Sequence, residues 1–156
     1  MTDADRSPSA RLAQLGLRLP PVPTPRGRYR PWRRSGTTVV TAGIVAADEQ
    51  GVRVGRVGED LDLTAGAAAA RVAALSLLAV LDEAAGGLAR ISQVLLLQGF
   101  VRSAPGFTAQ PQVVDAASEL LFDVLGEAGL HARVAVGAAE LPLGAAVELQ
   151  AWAEVN

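Results

Sequence analysis

Two strand-like runs near the C-terminus constrain this chain more than any other feature. In residues 147–155 apolar and polar residues alternate strictly, which is the period-two pattern of a strand with one buried face. A second run, 133–139, precedes it, and a Leu-Pro-Leu-Gly turn at 141–144 joins the two. The pattern predicts a final hairpin whose first strand turns Val134 and Val136 towards the core.

Two charged residues, Arg133 and Glu148, lie inside these apolar runs, where an unpaired buried charge is costly. With the turn centred on 142–143, Arg133 is predicted to pair with Trp152, and Glu148 to lie four residues away on the same face. That spacing is roughly 13 Å, which a small ligand could largely span. The floor between them consists of small residues: Ala135, Gly137 and Ala139. Spacing alone favours the simpler interpretation, in which this face contacts solvent or a neighbouring subunit.

The composition of the 156-residue chain excludes several classes of chemistry. Half of the residues are hydrophobic and the net charge is −2, which indicates a soluble globular domain without a general attraction to nucleic acid. With no cysteine, the chain forms neither disulfides nor thiolate metal sites, and its single histidine, His131, excludes a multi-histidine zinc site. All 14 basic residues are arginine, so a lysine Schiff base is excluded too.

The sequence predicts no targeting signal. Residues 1–9 are predicted to be a disordered leader, and 10–156 a single domain. The N-terminus lacks the apolar core of a secretory signal, and no uninterrupted apolar run reaches the length of a membrane span. The predicted compartment is therefore the cytoplasm, with no membrane partner.

The remaining pattern predicts an α+β fold. Prolines at 20–25 hold an extended arm, and long helices are predicted at 65–85, with Thr64 as N-cap, and at 110–127. Further strands are predicted at 37–45, at 91–101 and, as a short element, at 52–57. Two long helices on one face of a mixed six-stranded sheet bury both apolar surfaces most simply.

Over about residues 10–155 the chain resembles the RidA/YjgF family, also called the endoribonuclease L-PSP-like family. The matching segments are 27–29, 41–43, 100–107, 110–118, 126–129, 131–137 and 141–148. The resemblance implies a chorismate-mutase-like fold and a homotrimer with three clefts between subunits. It also implies hydrolysis of reactive enamines and imines, such as 2-aminoacrylate, to 2-oxo acids and ammonia, with no metal or organic cofactor.

The same resemblance assigns roles to particular residues. Arg133 matches the family's carboxylate-binding arginine, a task that suits the planar, permanently charged guanidinium. Glu148 matches the glutamate that positions or activates the attacking water. Tyr29 and the backbone of Gly43 match groups that line the cleft. The implied ligand is a small metabolite that carries a carboxylate.

Four positions depart from the family pattern. Ala42 and Ile44 flank Gly43 where active deaminases usually carry Ser-Gly-Gln, and Ala135 replaces a cleft cysteine. Asp115 stands where an asparagine is expected. An anion there would repel a carboxylate ligand or pair with an arginine. A non-catalytic, small-molecule-binding or regulatory trimer is therefore an alternative to the hydrolase.

A basic cluster at 26–34 gives a third, less favoured alternative. Five arginines alternate there with Tyr29 and Trp32, a composition that suits RNA or anion contacts. A solvated or interface strand explains the same cluster more simply, and a ribonuclease histidine pair is missing. Nucleic acid is therefore not expected as a partner, and His131 is predicted to be a packing or hydrogen-bonding residue.

Overall fold

The N-terminal helix begins inside the predicted leader. The computed structural model of the chain describes residues 7–156, so residues 1–6 of that leader lie outside it. Helix α1 spans Pro8–Gln14, and the side chain of Ser7 caps it by accepting a hydrogen bond from the Ala10 backbone N–H at 3.2 Å. Residues 8 and 9, expected in the leader, thus lie in this helix, and Ser7 caps it.

Within residues 7–156, eight strands form two sheets. They are β1 (Trp32–Ser35), β2 (Thr38–Thr41), β3 (Ile44–Val45), β4 (Ala47–Asp48), β5 (Gly51–Val52), β6 (Ile91–Arg102), β7 (Ala132–Ala138) and β8 (Val147–Val155). The main sheet has the order β1-β2-β8-β6-β7 with β3 also paired to β8, and β4 pairs with β5 in a separate ribbon. The predicted α+β architecture with a mixed six-stranded sheet is confirmed.

Two long helices, α2 (Leu63–Ala85) and α3 (Gln110–Leu125), pack on one face of this sheet. Asp62, not Thr64, is the N-cap of α2, because its carboxylate accepts from the Ala65 N–H at 2.8 Å. Helix α3 ends two residues before the predicted position, and a 3-10 turn at Gly126–Gly129 follows. Two further 3-10 turns lie at Leu88–Arg90 and Pro142–Gly144.

Helix α2 is long and largely apolar, although Arg71 interrupts its apolar run. By length and composition alone its 23 residues satisfy the requirements of a membrane-crossing helix. In the fold, however, its alanine- and leucine-rich faces pack against α3, β8 and β2. It is the central core helix, and alanines such as Ala70 and Ala73 let these neighbours approach closely.

The predicted C-terminal hairpin is wrong. Strand β7 pairs with β6 in parallel, and β6 separates it from β8, so Arg133 lies beside Leu97 while Trp152 lies beside Leu96 and Val40. The physical reason is the connection through α3, because parallel strands need a crossover and a helix supplies it. The chain then crosses the end of β6 through residues 139–146 to reach β8.

The predicted faces of β7 are inverted as well. Arg133 and Ala135 are paired with Leu97 and Gly99, whose side of the sheet carries the helices. Val134 and Val136 instead lie on the open face, with exposed fractions of 44% and 41%. The helix-free face of the sheet is therefore partly apolar and uncovered in a single chain.

Close contact between α3 and the sheet requires a glycine at position 99. A Cβ atom there would lie 2.6 Å from one methyl carbon of Val114. We expect Gly99→Ala to destabilise the fold by about 1–3 kcal/mol through overpacking. Urea unfolding of this variant, of Val114→Ala and of the double variant measures the effect.

The double variant is the internal control for that prediction. Removing the Val114 methyl groups creates the space that the new Cβ needs, so the double variant should be more stable than the sum of the two single changes implies. Strict additivity would contradict the contact.

Candidate functional site

The predicted site residues fall into two groups, and Glu148 belongs to the first. On β8 it alternates with the buried Val147 and Leu149, so its side chain points to the other side of the sheet. Its carboxylate lies against the Cα atom of Gly43, where any Cβ would collide with it. No residue in the described range 7–156 donates a hydrogen bond to this carboxylate or pairs with it. Half-buried in this way, Glu148 has a pKa raised above its ordinary value by desolvation.

The Glu148 carboxylate faces a cavity of about 660 Å³. Tyr29, Gly43 and Ile44 line it, together with apolar residues of the N-terminal arm and of the loop before β8. Ala42 does not line this cavity, and its backbone N–H donates to the Pro31 carbonyl at 2.8 Å. The structure therefore brings Tyr29, Gly43 and Glu148 together, whereas Ala42 lies outside the cavity lining.

Leu143 on the rim of this cavity has strained backbone geometry. Its φ is +60°, and it is the only non-glycine residue in the described range with a positive φ. For a leucine this conformation costs on the order of 1–2 kcal/mol. The sequence offered no signal for it, because the neighbouring Gly144 is the residue expected to adopt such a turn.

An ion-pair network fixes the loop that carries Leu143. The Glu140 carboxylate pairs with Arg56 at 2.6 Å and with Arg102 at 3.0 Å, and Arg56 also donates to the Ala139 carbonyl at 2.7 Å. These guanidinium groups lower the pKa of Glu140. The loop between β7 and β8 is thereby tied to β6, which holds Leu143 at the cavity.

Arg133 belongs to the second group and lies on the edge strand β7, beneath α3. Its Nη1 donates to the Asp115 carboxylate at 2.8 Å and to the Ser118 hydroxyl at 3.1 Å. Asp115 and Ser118 are three residues apart on α3 and so share one face of the helix. Within residues 7–156 the Nε and Nη2 groups of Arg133 donate to no partner. One edge of the guanidinium therefore remains available for an anion.

Ser118 connects Arg133 to His131. The Ser118 hydroxyl lies 3.0 Å from His131 Nε2, and His131 Nδ1 lies 2.6 Å from the Gly129 carbonyl. A carbonyl only accepts, so Nδ1 carries the hydrogen and Nε2 accepts from Ser118. Burial lowers the pKa of His131, and the Arg133 charge lowers it further, which favours this neutral imidazole. Sequence reasoning missed Ser118 altogether.

The two groups of residues do not meet within one chain. Arg133 and Glu148 are separated by β6 and by three residues along the strands, or roughly 14 Å between backbone positions. They also lie on opposite faces of the sheet. Ala135 and Asp115 accompany Arg133. The expectation that Arg133 and Glu148 share one face of a hairpin is wrong, whereas the roles of these residues stay predictions.

The described residues contain no cluster of three or more histidine, aspartate or glutamate side chains able to hold a metal ion. The arginines of the basic cluster 26–34 are exposed, and Arg34 donates to the Gly36 carbonyl at 2.8 Å. Arg26 is among the residues that line the Glu148 cavity.

The order of the strands in the sheet and the helical crossover between β6 and β7 are those of a chorismate-mutase-like α+β domain. The family model of the YjgF/chorismate mutase-like endoribonuclease family matches residues 9–155. The chain belongs to this family, and the recognition made from its motifs is confirmed.

Individual relatives cover almost the whole chain. Protein TCP17 from Trypanosoma cruzi is 41% identical over 150 residues, covering 95% of this chain and 94% of its own. The crystal structure of Atu1372 from Agrobacterium tumefaciens, a protein of unknown function, is 36% identical, with a TM-score of 0.89 and coverage of 99% and 97%. The YjgF gene product of E. coli is 26% identical, with a TM-score of 0.60 and coverage of 85% and 92%.

The raised pKa of Glu148 predicts a pH-dependent stability. The folded chain binds this proton more tightly than the unfolded chain, so burial of the charged carboxylate destabilises the fold at any pH above the raised pKa. The penalty disappears below the ordinary value of 4.5. We expect the uncharged, isosteric Glu148→Gln variant to be more stable than the wild type at pH 8.

Urea unfolding over a range of pH checks this prediction. The difference in unfolding free energy between Glu148→Gln and wild type should shrink as the pH falls through the raised pKa of Glu148. A difference that stays constant with pH would show that the amide changes packing and not the charge penalty.

Proposed function

We propose that this chain is a cofactor-independent hydrolase of reactive 2-imino and enamino acids, acting as a homotrimer. Each site combines Glu148 of one subunit with Arg133 of its neighbour. One observation carries the proposal: Glu148 and Arg133 lie on opposite faces of one sheet. The half-buried Glu148 carboxylate has no partner among the described residues, and only one nitrogen of Arg133, Nη1, donates hydrogen bonds. Neither group completes a site alone, whereas two copies of the chain supply both.

The open sheet face supports the assembly. Val134, Val136 and Trp152 lie on it with exposed fractions of 44%, 41% and 43%, and β7 has an unpaired edge. Uncovered apolar surface of this kind is typical of protein interfaces. A cyclic arrangement buries it while repeating one contact between the two groups of site residues.

The chemistry requires only these groups and water. The free edge of the Arg133 guanidinium binds the substrate carboxylate. Glu148 takes a proton from water, whose oxygen adds to the imine carbon, and returns that proton to nitrogen to give a carbinolamine. The hydroxyl proton of the carbinolamine then passes through Glu148 to nitrogen as the carbonyl forms, the C–N bond breaks and ammonia leaves. One imine and one water thus give one 2-oxo acid and one ammonia. A raised pKa suits Glu148 to this task, because it brings the acid nearer to the working pH.

A non-catalytic binding trimer is the second candidate, and two observations favour it. Asp115 already pairs with Arg133, and the apolar Ile44 lies in the cavity wall where an amide is expected. Such a protein binds a carboxylate without turning it over. An assay of turnover alongside binding separates the two candidates.

The hydrolase proposal predicts large losses on removal of either group. We expect Arg133→Ala to lower kcat/KM about 100-fold, through loss of a charged bidentate contact, and Glu148→Gln to lower kcat about 100-fold or more. The measurement follows the decay of 2-iminobutyrate or 2-aminoacrylate generated in situ. Arg71→Ala and Glu127→Gln, of the same residue types outside both groups, are the controls. Wild-type decay no faster than with Arg133→Ala would refute turnover.

Mixing the two inactive variants tests the shared site. In a trimer reassembled from equal amounts of Arg133→Ala and Glu148→Gln, about a quarter of the sites join an intact Glu148 to an intact Arg133. We expect about that fraction of wild-type activity to return. Sedimentation of the wild type as a monomer, or no recovery in verified hybrids, would contradict a site between subunits.

Asp115 is expected to weaken carboxylate binding. Its carboxylate competes with the ligand for Arg133, so the isosteric Asp115→Asn variant should bind 2-oxobutanoate about three to ten times more tightly. Isothermal titration calorimetry measures the change, and Asp123→Asn on an exposed part of the same helix is the control. Weaker binding by Asp115→Asn would show that the ion pair holds Arg133 in place for the ligand.

A further inference from the structure

A second cavity, of about 650 Å³, lies beside the Glu148 cavity. It is enclosed by the proline arm, defined here as residues 18–25, and by the outer face of α2. Leu19, Pro20 and Pro21 form its arm side, and Val72 and Leu75 form its helix side. Its charged residues are Arg18, Asp48 and Glu49.

The two cavities adjoin each other. Pro23, Ala47 and Ser76 line both, so the two cavities share a boundary formed by these three residues. Ser76 is only 5% exposed, and its hydroxyl donates to the Ala47 carbonyl at 3.4 Å. The polar group at the junction is thus satisfied inside the protein and does not demand a polar ligand atom.

The walls of this second cavity suit an apolar group. A proline has no backbone N–H, so the arm presents rings and few hydrogen-bond donors. Leu19, Val72 and Leu75 add aliphatic surface that is only partly buried in the free protein. A polar group placed against this aliphatic surface would lose water there, whereas an alkyl or aromatic group would gain burial.

We infer that the cavity beneath the proline arm is a subsite for an apolar substrate side chain. The preferred substrates are then imino acids derived from amino acids with large apolar side chains, not the smallest ones. This inference rests on the proposed function, because it takes the reacting group to lie at Glu148. The arm determines specificity and takes no part in the chemistry.

A homologous series of ligands tests the subsite. Straight-chain 2-oxo acids, the product class, are titrated into the wild type from 2-oxobutanoate to 2-oxodecanoate. Each added CH₂ that enters the subsite should lower Kd about three- to fourfold, and the gain should stop once the cavity is full. A Kd independent of chain length would overturn the subsite.

Variants that fill the cavity beneath the proline arm test whether the gain in affinity with chain length arises there. Val72→Phe and, separately, Leu75→Phe should abolish the advantage of the long acids while leaving the binding of 2-oxobutanoate unchanged. Leu63→Phe, on the same helix but lining neither cavity, is the matched control. Persistence of the long-chain advantage in both folded variants would overturn the assignment of the subsite to this cavity.

Failure of the subsite and failure of the proposed function give different results. If 2-oxobutanoate binds and Arg133→Ala abolishes its binding, but chain length has no effect, only the subsite is wrong. If no acid of any length binds, both are wrong. If the long acids bind with an affinity that Arg133→Ala does not change, the subsite stands and the role of Arg133 falls.

Discussion

The parallel pairing of β6 with β7 is the contact on which the rest of the site depends. A parallel neighbour requires a crossover connection, and α3 supplies it, packed so closely on the sheet that only glycine fits at position 99. The same crossover places Asp115 and Ser118 above Arg133. It also moves β7 to the sheet edge, with β6 between Arg133 and Glu148. The division of the site into two groups is thus a consequence of chain topology.

Sequence patterns predicted most of the fold. The alternation in β8 and the long apolar helical patterns identified the elements and the mixed sheet, since each pattern belongs to one type of secondary structure. The orientation of β7 was not predictable in this way. Small residues such as Ala135 alternate there with Val134 and Val136, so both faces are apolar and periodicity cannot distinguish the buried one. The Leu-Pro-Leu-Gly turn then favoured a hairpin that the topology does not contain.

The sequence predicted some residues of the candidate site but not the contacts that hold them. Arg133, Glu148, Tyr29 and Gly43 were identified through family motifs, and the structure positions them in two groups. The hydrogen bonds of Ser118 and His131 join residues from two elements, and their pairing depends on how α3 lies over β7. The strained backbone of Leu143 depends on the ion pairs of Glu140, which come from three distant segments. Such features arise from tertiary packing and leave no local pattern.

The contact between Gly43 and the Glu148 carboxylate has a consequence for the proposed site. The acid occupies its position only because the opposing residue has no side chain. A single methyl group at position 43 would displace the carboxylate without touching Arg133, which lies on the opposite face of the sheet. In the proposed site, this one substitution would separate binding from turnover while touching neither charged residue.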